Sequence, residues 1–384
     1  MKILEVIRTV DPAYGGPVEV VRQLSGVMQA ELGATVEAAT LDDPSADFVA
    51  KFPIKVHALG PGKGTYGHSP LYVPWMEEHA GEYDAIVVNG IWQYQSLGTY
   101  KALRKSGKPY FVFPHGMLDP YFNETYPLKK VKKQIYWKLF EQKVLANAAA
   151  VMYTCEEERV LAQKSFSGYK AAERVVSLGI ATPEFDLEAC KKEFLAQYPN
   201  LEGERFLLFL SRIDPKKGID LLIQAFASIK DSRLKLVIAG PDKTGLRPSL
   251  EELAKASGVS GLVTWTGMIT GSLKWGAYTA CEAFALTTHQ ENFGIVLAEA
   301  MACHKPVLTT NKTNIWREIK DSNAGLICTD TVDSVKVMLQ DWVTLSPSDR
   351  SAFEERAYAC FKEKFEVGQS ARLIYKTYEL ILKK

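Results

Sequence analysis

The chain has 384 residues, 47% of them hydrophobic and 24% charged, with 46 Lys and Arg against 45 Asp and Glu. That length exceeds one ordinary domain and the composition is globular, which excludes disordered and fibrous classes. A formal charge of +1 supplies no global field for nucleic acid, so any basic site must be local.

From the N-terminus, Met1-Lys2-Ile3-Leu4-Glu5-Val6 is a short apolar run broken by charges, not the long apolar core of a signal peptide, and it reads as a first strand. Short apolar runs recur at 36–40, 85–88, 110–113 and 151–153, separated by amphipathic segments, the signature of parallel strands joined by helices. The second half repeats the pattern at 206–210, 234–239, 262–265, 284–286 and 307–309. The expected fold class is α/β: two doubly wound Rossmann-like domains, residues 1–183 and 184–384. The linker is placed over 179–184, around Thr182-Pro183, with the split after 183, and the last helix can pack back on the first domain.

No stretch of about 18 apolar residues suggests a transmembrane helix, so a cytoplasmic chain, at most peripheral at the inner face of the membrane, is expected. Cys155, Cys190, Cys281, Cys303, Cys328 and Cys360 form no CxxC pair and read as reduced packing residues.

Open α/β sheets bind ligands where strands end and helices begin, because the first amides of a helix lack intrahelical partners. The loop after 3–7 contains Gly15 and Gly16 followed by Pro17, and lets the backbone approach a phosphate or simply makes a turn. It matches neither GxGxxG nor GxxxxGKS. The loop after 206–210 reads Ser211-Arg212-Ile213-Asp214-Pro215-Lys216-Lys217-Gly218, and Asp214-Pro215 turns the chain so that Arg212 and Lys217 can share one space. Two cations at a strand-to-helix loop suit a diphosphate, although alone they are also a solvated basic turn. The segment from His289 to Ala302 places Glu291 before a helix and Glu299 inside it, with the amides of Phe293, Gly294 and Ile295 at the helix start. Two glutamates beside phosphates are unfavourable unless they bind hydroxyls, and sugar and ribose hydroxyls are the natural partners.

The Arg212/Lys217 loop combined with Glu291, seven intervening residues and Glu299 resembles the retaining glycosyltransferases called group 1 or family 4, which have the GT-B fold. The resemblance covers nearly the whole chain, is strongest over 206–328, and implies that the two domains face a central cleft, with 1–183 on the acceptor side and 184–384 binding a nucleotide sugar. It implies that Gly15 and Gly16 approach the donor diphosphate and that Arg212 and Lys217 bind its phosphates. It also implies that Glu291 contacts the donor sugar beside the amides of Asn292, Phe293, Gly294 and Ile295, and that Glu299 holds the ribose. His115, in Pro114-His115-Gly116-Met117 at the end of 110–113, corresponds to a histidine near the reacting sugar, although a lone histidine is more often structural. Two departures from the family pattern are Thr287-Thr288 in place of Pro-Ser and His304 in place of a glycine.

The resulting expectation is a metal-independent retaining hexosyltransferase with no cofactor beyond its donor, a UDP- or GDP-sugar. No Asp-x-Asp metal site is seen, and the two cations can stabilise the leaving diphosphate instead. The acceptor is expected to be a glycan or lipid-linked saccharide in cell-surface polysaccharide or glycolipid synthesis. Alternatives are a GT-B nucleotide-sugar epimerase, or a non-catalytic sugar-nucleotide-binding partner subunit that would have lost several of these residues. Finally, residues 128–145 carry Lys129, Lys130, Lys132, Lys133, Lys138 and Lys143 against Glu141, with Leu128, Val131, Ile135 and Leu139 at helical spacing. This basic amphipathic helix either packs its apolar face on the sheet or makes a peripheral membrane contact.

Overall fold

The computed structural model describes residues 1–121, 127–229 and 234–383, with the side chains of 127–129 left out. The chain divides into two compact units, Thr182–Phe365 and a first unit in which Met1–Ala181 is joined by the segment from Glu366 on. The division thus falls two residues before the boundary drawn from sequence, and the chain beyond 365 belongs with the first unit.

In the first unit, seven parallel strands lie in the order β3-β2-β1-β4-β5-β6-β7. They are β1 Lys2–Ile7, β2 Thr35–Thr40, β3 Lys55–Ala58, β4 Ala85–Asn89, β5 Phe111–Phe113, β6 Ala150–Tyr153 and β7 Glu173–Val175. β4, β5 and β6 are buried throughout, as expected of strands covered by helices on both faces. β1 pairs with β2 on one side and β4 on the other, through Ile3↔Val36 and Ile3↔Ala85, so the strand order reverses there. The loops after β1 and β4 flank that switch point.

The Gly16–Leu32 helix follows β1, with Pro17 in its first turn and Gly33 ending it at φ 61° through a bond from its amide to the Met28 carbonyl. Beside it packs the Val367–Leu382 helix, whose buried Tyr378 ring sits 4.5 Å from that of Phe111. The return is fixed at its root, where the Val367 amide donates to the Ile180 carbonyl at 3.0 Å.

The second unit repeats the design with six strands in the order β10-β9-β8-β11-β12-β13. These are β8 Arg205–Leu210, β9 Leu234–Ala239, β10 Val263–Gly267, β11 Ala283–Leu286, β12 Val307–Thr310 and β13 Gly325–Cys328. Its switch point lies between β8 and β11, so the loops carrying Lys217 and Glu291 leave adjacent parallel strands in the same direction.

The basic segment forms the Pro127–Tyr136 helix, continued by a wider turn over Trp137–Glu141. Its aromatic residues face inward: Trp137 is fully buried and stacks on Phe166 at 5.2 Å. Inward packing thus holds for the aromatic side of the helix and not for its aliphatic stripe, where Val131, Ile135 and Leu139 are 63%, 57% and 52% exposed. Lys130, Lys132, Lys138 and Lys143 are exposed as well, while the side chains of Leu128 and Lys129 lie outside the described residues. Among the described residues, no helix is long and apolar enough to cross a membrane.

Candidate functional site

The second unit's site is built where two loops are tied together. Asp214 caps the short Pro215–Lys217 turn by accepting from the Lys216 amide at 3.1 Å. Gly218 follows at φ 62°, where a Cβ would fall on the Thr287 carbonyl oxygen, so the turn requires glycine both for its left-handed backbone and for the close approach. The β11 loop answers with three bonds. The Thr287 hydroxyl donates to the Gly218 carbonyl at 2.6 Å, the Thr288 hydroxyl to the Lys216 carbonyl at 2.8 Å, and the His289 amide to the same carbonyl at 2.7 Å. Thr287 and Thr288 are wholly buried. The family's proline at the first position could not make the first of these bonds, since it has no hydroxyl.

This stitching brings together two of the expected residues. Lys217 Nζ and Glu291 Oε2 form an ion pair whose side chains are 5% and 19% exposed. Burial pushes the Glu291 carboxyl up, but the Lys217 ammonium, with help from Lys216 and the Asn292 amide, holds it below the usual carboxylate range. Lys216 is held below the usual amine range by burial and by the charges of Lys217 and Arg212, against the pull of Glu291. Three cations therefore crowd one another around Glu291 and Asp214, an arrangement that a bound anion would relieve. Arg212 is exposed and, among the described residues, makes no hydrogen bond or ion pair.

The Glu291 backbone is fixed by bonds from its amide to the Lys312 carbonyl at 2.9 Å and from the Asn314 amide to its own carbonyl at 3.0 Å. Asn292 accepts from Asn314 Nδ2 at 3.1 Å. Phe293 is 5% exposed and packs edge-on against Phe365 at 5.7 Å, so its side chain is structural and only its amide is available. Gly294, at φ 69°, caps the Ile295–Ala302 helix. Among the described residues the amides of Phe293, Gly294 and Ile295 find no partner, leaving three donors at a helix start. Glu299, one turn on, is held by Lys274 Nζ at 2.8 Å and Tyr278 Oη at 3.0 Å, neither of which stands out in sequence. Those bonds orient the carboxylate and leave lone pairs for hydroxyl donors.

The first unit holds the remaining expected residues. Gly15, at φ 89°, is the N-cap of the Gly16–Leu32 helix, and a Cβ there would meet nothing within 4 Å; its glycine is demanded by conformation alone. His115 follows β5 with φ 49°, its ring stacked on Phe113 at 5.6 Å and its Nε2 2.9 Å from Asn89 Oδ1. Burial pushes its imidazole down to about 4, which keeps it neutral at ordinary pH. Among the described residues, no group of three or more His, Cys, Asp or Glu is placed to hold a metal.

Two doubly wound parallel-sheet units of this kind define the GT-B class. The second unit matches Glycosyl transferases group 1 over residues 191–359 and the first matches the Glycosyl transferase 4-like domain over 15–179; the chain belongs to this family. Among curated relatives, it is 32% identical over 148 residues to a D-inositol 3-phosphate glycosyltransferase of Rhodococcus jostii, covering 37% of this chain and 31% of the relative. It is 28% identical over 217 residues to an alpha-monoglucosyldiacylglycerol synthase of Streptococcus pneumoniae, covering 55% of this chain and 49% of the relative. The chain thus spans half or less of the length of these relatives. By fold it resembles Anabaena HepE, solved in complex with UDP and glucose, with 19% identity, a TM-score of 0.76 and 99% and 100% of the two chains covered. A sucrose-phosphate synthase from Thermosynechococcus elongatus gives 20%, 0.76, 100% and 99%.

The linkage between Glu291 and Lys217 has a definite sign. A carboxyl held below its unfolded value contributes stability above about pH 4.5, and loses it as acid protonates the folded form. Lys217→Met is therefore expected to cost about 3 kcal/mol at pH 7, since it strands a largely buried carboxylate, with the deficit shrinking as pH falls toward about 4. Urea unfolding at several pH values measures it.

Proposed function

We propose that the protein is a metal-independent retaining hexosyltransferase that uses a UDP- or GDP-sugar donor and a glycan or lipid-linked acceptor in cell-surface polysaccharide or glycolipid synthesis. The observation that carries this reading is the Lys217–Glu291 pair beside three helix-start amides that find no partner among the described residues. A diphosphate lying on those amides and on Arg212, Lys216 and Lys217 would take over the cationic side of the pair, freeing Glu291 to accept from hydroxyls of the transferred sugar. Glu299 would accept from the ribose hydroxyls. Gly15 and Gly16 are proposed as further diphosphate ligands, and His115 as the imidazole facing the reacting sugar.

Transfer with retention requires the acceptor hydroxyl to attack the face the diphosphate leaves. As the glycosidic C–O bond breaks, negative charge grows on the departing phosphate oxygen, where fixed donors act most strongly; each is worth about 3 kcal/mol in comparable sites. That oxygen can accept the proton of the attacking hydroxyl, so no separate base is assigned. The cations fill the role that a divalent metal has elsewhere. Measured in excess chelator, donor turnover is expected to persist in the wild type and to fall at least about tenfold in Arg212→Ala and in Lys217→Ala. Near-normal turnover in both variants, or none in the chelated wild type, contradicts the assignment.

For a lipid-linked acceptor, the exposed stripe of Val131, Ile135 and Leu139 among Lys130, Lys132, Lys138 and Lys143 is the proposed contact with an anionic bilayer at its inner face. The lysines complement acidic headgroups at about 1 kcal/mol each, and the aliphatic side chains can enter the interface. Vesicles containing phosphatidylglycerol are expected to sediment the wild type at low salt, and to sediment a variant with Lys130, Lys132 and Lys138 changed to Gln several-fold less. Equal sedimentation of the two removes this surface from the account.

A further inference from the structure

Beneath His115 lies a chain of polar side chains that the diphosphate chemistry does not use. Glu5 sits in the middle of β1, 6% exposed, in a strand whose neighbours Leu4, Val6 and Ile7 are buried and apolar. Val20, Val21, Leu24 and Met28 of the Gly16–Leu32 helix cover it, together with Tyr378 of the C-terminal helix. A carboxylate in such surroundings is expensive unless hydrogen-bonded. It accepts from Asn89 Nδ2 at 2.7 Å. Asn89 is 5% exposed, and its Oδ1 points the other way, to His115 Nε2.

The donor and acceptor inventory of these three groups fixes a proton. An ionised Glu5 can only accept, so it commits the Asn89 amide nitrogen to itself and turns the amide oxygen toward the imidazole. An oxygen facing Nε2 requires Nε2–H, and a neutral imidazole then presents Nδ1 as a bare acceptor. No partner for Nδ1 is found among the described residues. A protonated Glu5 allows the reverse arrangement: its hydroxyl donates to Asn89 Oδ1, the amide turns over, and Nδ2–H points at Nε2. Nε2 must then be bare, so it gives up its proton to solvent while Nδ1 takes one from solvent, and the imidazole remains neutral.

We propose that Glu5 and Asn89 are positioning residues that set the tautomer of His115, so that one proton on the buried carboxylate converts Nδ1 from a hydrogen-bond acceptor into a donor. The consequence for transfer rests on the functional reading above, in which the His115 imidazole faces the reacting sugar; the tautomer switch itself does not. Burial raises the Glu5 carboxyl to about 7 despite the Asn89 bond, whereas His115 stays neutral down to about 4. The switch therefore falls near neutral pH, within the range where the imidazole carries no charge. Among the described side chains lining this space, Tyr378, Glu5 and His115 titrate and the Gly16–Leu32 helix contributes none; a further buried carboxylate, Glu158, accepts from the Gly116 amide next to His115 at 2.6 Å, and burial holds it above the usual carboxylate range.

The test is long-range proton–nitrogen correlation spectroscopy on the full chain with labelled histidine, identifying His115 by the signal missing from His115→Asn. The wild type is expected to show Nε2–H at pH 8.5 and to pass to Nδ1–H as pH falls through about 7. Glu5→Gln removes the titrating proton, keeps the shape of the side chain, and is expected to abolish that transition. Asn89→Ala is expected to abolish the Nε2–H preference at every pH. In transfer assays the limb of the kcat profile near pH 7 should vanish in Glu5→Gln, with donor KM changed less than about twofold. An unchanging tautomer in the wild type, or the same transition in Glu5→Gln, overturns the proposal. A tautomer switch without sugar transfer would instead overturn the functional reading and leave the switch standing.

Discussion

The ion pair between Lys217 and Glu291 is the constraint around which the second unit's site is arranged. Removing two charges from water is costly, and their attraction repays that only if the geometry holds them and other bonds satisfy what remains. Here the geometry is held by backbone. Gly218 brings its turn against the Thr287 carbonyl, and the Thr287 and Thr288 hydroxyls and the His289 amide bind the Gly218 and Lys216 carbonyls. The pair is thus formed by loops that are already fixed, and the charge around it remains unbalanced because Lys216 and Arg212 lie close by. A site with surplus positive charge and unpaired amides is preorganised for an anion, and little rearrangement is needed when one arrives.

Topology makes this possible. At the switch point between β8 and β11 neighbouring strands send their connections in opposite directions along the sheet, which leaves a crevice at the strand ends. The first unit uses the corresponding place, between β1 and β4, differently. Its strand ends carry Asn89, with Glu5 behind it on β1, and the next strand, β5, supplies His115 in a left-handed backbone that a non-glycine residue adopts at some cost. The C-terminal helix completes that unit by placing Tyr378 over Glu5 and Phe111, so a segment more than 300 residues away in sequence helps to determine the state of a buried carboxylate.

Much of this was readable in the sequence for physical reasons. Strands buried on both faces must be apolar throughout, and the central strands of both sheets stood out accordingly. The missed strands are β3 (Lys-Val-His-Ala), β7 (Glu-Arg-Val) and β13 (Gly-Leu-Ile-Cys), all at sheet edges, where short runs need no continuous hydrophobicity. Gly325 opens β13 because a Cβ would collide with the Val307 carbonyl, a requirement that only the paired strand reveals. His304 replaces a glycine at a position whose backbone has φ 60°, which accounts for the family's preference; stacking of its ring on Tyr358 at 4.0 Å accompanies the strained conformation here. The Lys274 and Tyr278 contacts to Glu299, and the Asn89 bridge, join residues distant in the chain and of ordinary type. Helical periodicity also misjudged which residues of the basic helix face inward, because Tyr136, Trp137 and Phe140 compete with the aliphatic stripe and the bulkier aromatic group wins the core.

The central claim is that the loop pair in the second unit receives a nucleoside diphosphate. Thermal unfolding of the wild type, Arg212→Ala and Lys217→Met with UDP, GDP and ADP, against the corresponding monophosphates, tests it most directly. A ligand at a hundred times its dissociation constant stabilises by about 2.7 kcal/mol. The account predicts such protection of the wild type by at least one diphosphate, little by its monophosphate, and its loss in both variants. Equal protection of the wild type and the variants, or protection that ignores the second phosphate, would contradict it.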